Sequence, residues 1–101
     1  MTNRESKIFQ DALNTFGIDN QKEMLKEECA ELIVALSHYD RNRASKEAVI
    51  TELADVSIML DQMILLFGEK DFEVERERKV RRLFSRILNK DYSDENQGSN
   101  T

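Results

Sequence analysis

The chain has 101 residues, with 20 acidic and 15 basic side chains and a formal net charge of -5. This length fits one domain, and the negative charge disfavours binding to nucleic acid. No apolar run reaches the ~18 residues that span a bilayer, and the single Cys29 cannot form an internal disulfide. We therefore expect a cytoplasmic protein that binds neither membranes nor nucleic acid. With no proline and three glycines, the composition favours an all-α fold.

Two helices are predicted in the first forty residues. Apolar residues at helical spacing indicate helix 1 from about Glu5 to Phe16, with Gly17 as its stop. Asp19 or Asn20 is then the N-cap of helix 2. The apolar stripe of helix 2 comprises Leu25, Cys29, Leu32, Leu36 and Tyr39.

Two further helices follow. Ser45 is a good N-cap for helix 3, which we expect from Lys46 to Phe67, before Gly68. Asp71 is the predicted cap of helix 4, whose apolar face comprises Val74, Val80, Leu83, Phe84, Ile87 and Leu88. Residues 91–101 lack an apolar period, so we predict a single domain over 1–90 and a disordered tail over 91–101. The short connections favour a bundle-like arrangement of the four helices, with helices 2 and 3 as an antiparallel hairpin.

Acidic residues occupy positions of a packing seam on helices 2 and 3. Beside the apolar stripe, each helix has a second stripe with the four-three spacing of a heptad. Its members are Met24, Glu28, Glu31, Ala35 and His38 on helix 2, and Ala48, Glu52, Asp55, Met59 and Gln62 on helix 3. With the turn near Asn42, the four acids share one level of the hairpin. Such a cluster is unfavourable unless basic partners, protonation or a bound cation compensate it, and four carboxylates suit Mg²⁺ or Mn²⁺.

The same residues resemble a known family. Segment 26–32, KEECAEL, followed by segment 52–55, ELAD, resembles the EExxE…ExxD signature of the MazG-like nucleoside triphosphate pyrophosphohydrolases. The resemblance implies an α-helical fold, a Mg²⁺ requirement and hydrolysis of (deoxy)nucleoside triphosphates to the monophosphate and pyrophosphate. It covers helices 2 to 4 and, more weakly, Gln21. By this resemblance the metal ligands are Glu28, Glu31, Glu52 and Asp55.

Cations are expected near such a metal, because Mg²⁺ usually shares its coordination with substrate phosphates. Lys79 and Arg82 in helix 4 form a Lys-x-x-Arg pair that also resembles the family's phosphate-binding element, and Arg86 lies on the same face. The alternative is a solvated face, in which Glu75 pairs with Lys79 and Glu77 with Arg81.

Residues around the helix 2 motif carry weaker predictions. Lys26, like Lys22, either meets a phosphate or balances the acids, and Gln21 is a further substrate contact by the family resemblance. Glu27 either acts as a base or outer ligand, or is an ordinary exposed glutamate. His38 is interpreted as a boundary residue and Cys29 as core.

Two alternatives to the enzyme come from other classes. A ferritin-like di-iron protein needs Glu-x-x-His pairs, but Val34 follows Glu31 and Asp55 follows Glu52 at that spacing. A non-catalytic helical oligomer with an acidic metal-binding or salt-bridged patch stays open. The apolar surface of helices 2 and 3 exceeds what a chain of this length can cover. For the enzyme as well, this surface predicts a homo-oligomer, a dimer or a tetramer.

Overall fold

The structure, a computed structural model, describes the backbone of residues 1–99 and the side chains of residues 1–90. It consists of four helices, α1 (Asn3–Phe16), α2 (Ile18–Asp40), α3 (Lys46–Phe67) and α4 (Glu69–Ser99), and the described residues contain no strand. The predicted all-α class is therefore confirmed. The chain divides into two compact units, Met1–Phe67 and Gly68–Thr101.

The first helix is closed at both ends by local hydrogen bonds. At its start the Thr2 hydroxyl accepts from the Glu5 backbone N–H at 3.1 Å, and the Glu5 carboxylate accepts from the Thr2 N–H at 2.9 Å. This capping box begins α1 two residues before the predicted Glu5. At its end the Gly17 N–H donates to the Leu13 carbonyl at 3.0 Å, so the predicted stop is confirmed.

The start of α2 differs from its prediction. Gly17 has φ of +92°, a value that L side chains rarely adopt, and α2 begins at the next residue, Ile18. The N-cap is therefore Gly17, and no side chain caps α2. The prediction of Asp19 or Asn20 as the cap is wrong, because the single glycine redirects the chain and both residues already lie in the first helical turn.

The α2–α3 hairpin follows its sequence signals closely. Asn42 lies in the connection with φ of +59°, a left-handed conformation that asparagine tolerates. Ser45 then caps α3, with the Ala48 N–H donating to its Oγ at 3.1 Å. The predicted bounds of α3, Lys46 to Phe67, are confirmed.

The fourth helix starts earlier than predicted. Gly68, with φ of +134°, precedes Glu69, and Asp71 lies within the first turn instead of capping it. The helix ends at Ser99. The side chains of residues 91–101 and the backbone of residues 100–101 lie outside the described part of the chain. The disordered tail predicted for 91–101 therefore stays a prediction.

The core of the first unit is small and centred on α3. This helix packs against both α1 and α2, and α1 also packs against α2. The buried apolar side chains are Phe9, Leu13, Val56, Met59 and Met63. Leu25, Cys29 and Leu32 of the predicted α2 stripe are half-buried, whereas Leu36 and Tyr39 are exposed. Much apolar surface of this unit thus stays uncovered. In the described part of the chain, no helix is long and apolar enough to cross a membrane.

Candidate metal centre

Three glutamates from two helices converge in the first unit. Glu28 and Glu31 lie one turn apart on α2 and Glu52 lies on α3, so the α2–α3 packing brings them together. One carboxylate oxygen from each lies within 4.8 Å of the others. Glu28 and Glu52 are half-buried and Glu31 is exposed. We call these three residues the acid cluster.

The fourth predicted ligand flanks this group. Asp55 is half-buried on α3 and is not among the three residues whose oxygens converge within 4.8 Å. Its negative charge nevertheless raises the pKa of both Glu28 and Glu52. Three of the four predicted ligands are therefore brought together, and the fourth is close enough to raise the pKa of two of them, Glu28 and Glu52.

The electrostatics of the acid cluster are those of carboxylates lacking compensation. Burial is the largest cause that raises the pKa of Glu28 and of Glu52 above the ordinary 4.5, and repulsion from Glu31 is the next. One oxygen of each residue, Glu28 Oε2 and Glu52 Oε2, is buried and has no hydrogen-bond partner among the residues that the structure describes. Because an unpartnered buried polar atom is unfavourable, a hard cation would relieve both the missing contacts and the repulsion. The oxygen donors of the cluster fit Mg²⁺ or Mn²⁺.

An open cavity of about 380 Å³ lies beside the acid cluster. Most of its lining side chains are small, and the lining comprises Ala30, Glu31, Val34, Ala35, His38, Ala44, Ala48 and Glu52. Two of the three clustered glutamates thus border a space larger than an ion needs. This space was not predicted, although small residues at the seam positions beyond the acids, Ala35 and Ala48, line it and could have indicated it.

The two lysines ahead of the helix 2 motif have other contacts. Lys26 Nζ lies 2.8 Å from Glu23 Oε1, and this pairing raises the pKa of Lys26. Lys22 Nζ lies 5.7 Å from the centre of the Phe67 ring, which is within the range of a cation–π contact. Glu23 is not one of the three clustered glutamates, so both roles left open for Lys26, contact with a phosphate or balance of the acids, stay predictions.

Gln21 lies in the interior of the first unit. Its side chain is 6% exposed, and its Nε2 donates to Oε1 of Gln62, itself 3% exposed, at 2.7 Å. Its Oε1 accepts from Asn20 Nδ2 at 3.3 Å, and the phosphate contact of Gln21 stays a prediction. Glu27 is exposed, as is His38, which borders the cavity with Glu31 and Glu52.

The candidate phosphate-binding residues lie in α4, in the second unit. Lys79 and Arg82 are both exposed there. The predicted pair of Glu77 with Arg81 forms, with Arg81 Nε 3.0 Å from Glu77 Oε1. Glu75 does not form the predicted ion pair with Lys79. Its Oε2 instead accepts a hydrogen bond from Arg78 Nε at 3.0 Å.

Comparison with protein-family models, with curated proteins and with solved structures finds no match to this chain. The fold and the acid cluster by themselves define an all-helical protein with a candidate metal centre built from oxygen donors.

Proposed function

We propose that this protein is a Mg²⁺-dependent hydrolase that converts (deoxy)nucleoside triphosphates to the monophosphate and pyrophosphate. The observation that carries the proposal is the acid cluster, in which three carboxylates converge within 4.8 Å while two buried oxygens have no partner. The likeness of its two motifs to the MazG-like signature supports the choice of reaction. Mn²⁺ is the expected substitute for Mg²⁺, because it favours the same oxygen ligands.

The residues of the cluster have separate roles in this proposal. Glu28, Glu31 and Glu52 would hold the cation, with Asp55 as the fourth carboxylate next to them. When bound, Mg²⁺ supplies positive charge that neutralises phosphate oxygens and lowers the pKa of water. Glu27, exposed and adjacent to Glu28 in sequence, is the candidate to accept a proton from the attacking water. The cavity beside Glu31 and Glu52 offers room for substrate.

The proposed phosphate-binding residues are two cations of α4, chosen from the sequence motif. Lys79 and Arg82 are three residues apart on an exposed helix, and guanidinium and ammonium groups are suited to phosphate oxygens. Their assignment as phosphate-binding residues rests on this chemistry and on the family resemblance.

We also propose that the active form is a cytoplasmic homo-oligomer, a dimer or a tetramer. Its support is the apolar surface of the α2–α3 hairpin, where large side chains are exposed: Ile33, Val34, Leu36, Tyr39, Ile50 and Leu53. Surface of this kind usually marks an interaction site. Light scattering on the purified chain at micromolar concentration tests this, and a monomeric mass would contradict it.

The reaction is tested by incubating the full chain with a panel of ribo- and deoxynucleoside triphosphates. Pyrophosphate release with Mg²⁺, and its loss with excess chelator, is the expected result. Release of orthophosphate instead would show attack at the terminal phosphate and contradict the proposed products. Absence of any release, together with Mg²⁺-dependent stabilisation of the chain, would favour the non-catalytic helical oligomer with a metal-binding acidic patch.

A further inference from the structure

Two buried amides form a hydrogen bond between α2 and α3. Gln21 and Gln62 are 6% and 3% exposed, and 2.7 Å separates Gln21 Nε2 from Gln62 Oε1. Gln62 Nε2 also approaches the Met59 sulfur at 3.6 Å. They are the two buried polar side chains of the described residues. Such a contact between core amides has strong geometric requirements, because each amide loses its partner when the helices move.

The amide pair lies on the same seam as the acid cluster. Gln21 is seven residues before Glu28 on α2, and Gln62 is seven residues after Asp55 on α3. Seven residues correspond to about 10.5 Å along a helix and return to nearly the same face. Each glutamine therefore marks, one heptad further along its own helix, the same side that carries the carboxylates.

The apolar contacts around the pair specify the alignment of the helices less strongly. The buried apolar side chains of α3 are Val56, Met59 and Met63, and methionine adapts to altered neighbours. A slip of one turn moves a helix by about 5.4 Å, which is more than the 4.8 Å within which the three carboxylates converge. Such a slip would separate the three carboxylates, and a directional hydrogen bond resists it more strongly than adaptable methionines do.

We propose that Gln21 and Gln62 are positioning residues, whose hydrogen bond sets the axial register of α2 against α3 and thereby the spacing of the carboxylates. The consequence for cation binding rests on the proposed function, whereas the consequence for register does not. Single buried polar residues fix register in coiled coils at the expense of stability. The pair has the same effect here, one heptad away from the groups that it aligns.

The test replaces the pair by an apolar one of similar shape, Q21M/Q62M. The single variant Q62M removes the acceptor of the buried Gln21 Nε2, although Gln21 Oε1 still accepts from Asn20, and it melts at a lower temperature than the parent. The double variant regains stability, because both amides are gone. Q10M, which changes an exposed glutamine of α1, is the matched control. Q62N, which keeps the amide on a shorter side chain, provides a second test should the double variant not fold.

Two measurements separate positioning from simple structural support. Spin labels at exposed positions 37 on α2 and 57 on α3, in a background with Cys29→Ala, report the register by their distance distribution. The labelled chain is mixed with an excess of unlabelled chain, so that distances between copies of an oligomer do not contribute. Titration with Mn²⁺ reports the affinity of the cluster. We expect one narrow distance in the parent and in Q10M, and a shifted or broadened distribution in Q21M/Q62M. The Mn²⁺ dissociation constant of this variant should rise by about tenfold or more, because its carboxylates no longer converge as in the parent; removal of other residues that orient metal ligands has effects of this size.

Each outcome decides a separate statement. An unchanged distance distribution in folded Q21M/Q62M, or in Q62N if the double variant is unfolded, overturns the register role. A changed distribution with the parent's Mn²⁺ affinity overturns the positioning of the carboxylates. If the parent itself binds no Mn²⁺, the proposed metal function fails, and the spin-label distances still decide whether the amide pair sets the register.

Discussion

The acid cluster of the first unit and the basic segment of α4 carry opposite charges and are built in different ways. The cluster joins residues from two helices, has two half-buried members and contains oxygens without partners. The basic segment, residues 78–90, lies on one helix, is exposed throughout and has no acidic residue. Its cations are Arg78, Lys79, Arg81, Arg82, Arg86 and Lys90.

A concentration of charge does not by itself make a candidate site. Sequence alone sets the charge of both regions, but only packing alters the chemistry of a group, by taking it out of water and placing a like charge beside it. Glu28 and Glu52 have undergone that change, since their pKa values are raised. Arg78 and Arg81 have formed exposed ion pairs within their own helix, and such pairs contribute little to stability.

The largest effect is expected from Glu52→Gln, which keeps the shape of a cluster residue and removes its charge. Turnover should fall by about 100-fold or more, as when an element that stabilises transition-state charge is removed. Added Mg²⁺ should raise the melting temperature of the parent far more than that of the variant, because a ligand stabilises only the state that binds it. Steady-state pyrophosphate release and thermal melts with and without Mg²⁺ measure both effects.

Glu47→Gln is the matched control for this substitution. Glu47 lies on the same helix but is exposed in its first turn, so activity and the Mg²⁺ response should stay at the parent's level. Equal Mg²⁺ responses in the Glu52 variant and the parent, with unchanged hydrolysis, would remove Glu52 from the site and end the contrast between the two regions.

The next effect concerns the basic segment. Lys79→Ala and Arg82→Ala should each lower kcat/KM by about tenfold, because a charge-assisted hydrogen bond to phosphate is lost. The change should appear mainly in KM if the contact is equally strong in the ground and transition states. Arg81→Ala is the control, since Arg81 is exposed and paired with Glu77. If the Lys79 and Arg82 variants have the same kinetics as the control, the basic segment is a solvated helix face and does not bind phosphate.

A smaller effect is expected from pH in the absence of metal. The pKa values of Glu28 and Glu52 in the folded state lie above the ordinary 4.5. At a pH between 4.5 and these raised values, the folded state binds more protons than the unfolded state. The contribution of the two carboxyls to stability is therefore present at low pH and is lost as pH rises through the raised pKa values. Melting temperatures in chelator between pH 7 and pH 5 should thus rise more on acidification in the parent than in Glu28→Gln/Glu52→Gln.

Comparison between variants is needed because other carboxyls act in the opposite direction. Glu5 and Glu75 have pKa values lowered by hydrogen bonds with Thr2 and Arg78 respectively, so their contributions are lost as pH falls. A double variant with the same pH dependence as the parent would show that packing leaves the two cluster carboxyls unperturbed.

The smallest effect is expected from removal of residues 93–101. This segment has no apolar period, and such terminal residues add little to folding. The melting temperature and hydrolysis should therefore change little. A large loss of either on truncation would mean that the end of α4 contributes to the folded protein, and the predicted domain limit at residue 90 would then be wrong.

Local signals in the sequence were sufficient for much of the fold. The bounds of α3 follow from Ser45 and Gly68, because a hydroxyl N-cap and a glycine act within a few residues. The start of α2 was missed for a related reason. Asp19 and Asn20 are residues that often cap helices. In this chain, however, Gly17 with its positive φ is the N-cap, and α2 begins directly after it.

The candidate site was predictable in its membership and less so in its contacts. Heptad spacing identified Glu28, Glu31 and Glu52, since residues three or four apart share a helix face. It did not reveal that Asp55 falls outside the closest group, because this depends on the rotation and separation of two helices. The partner of Gln21 was missed too, although Gln62 stood on the same seam.

Gly17 ends α1 and begins α2 with a single residue. A Cβ built at this position would have no atom within 4 Å, so a methyl group would fit in the available space. Its backbone conformation is nevertheless one that other residues adopt only at a strain of about 1–3 kcal/mol. In a deep mutational scan, this position should therefore reject even alanine, while showing none of the size dependence by which a packed core position is recognised.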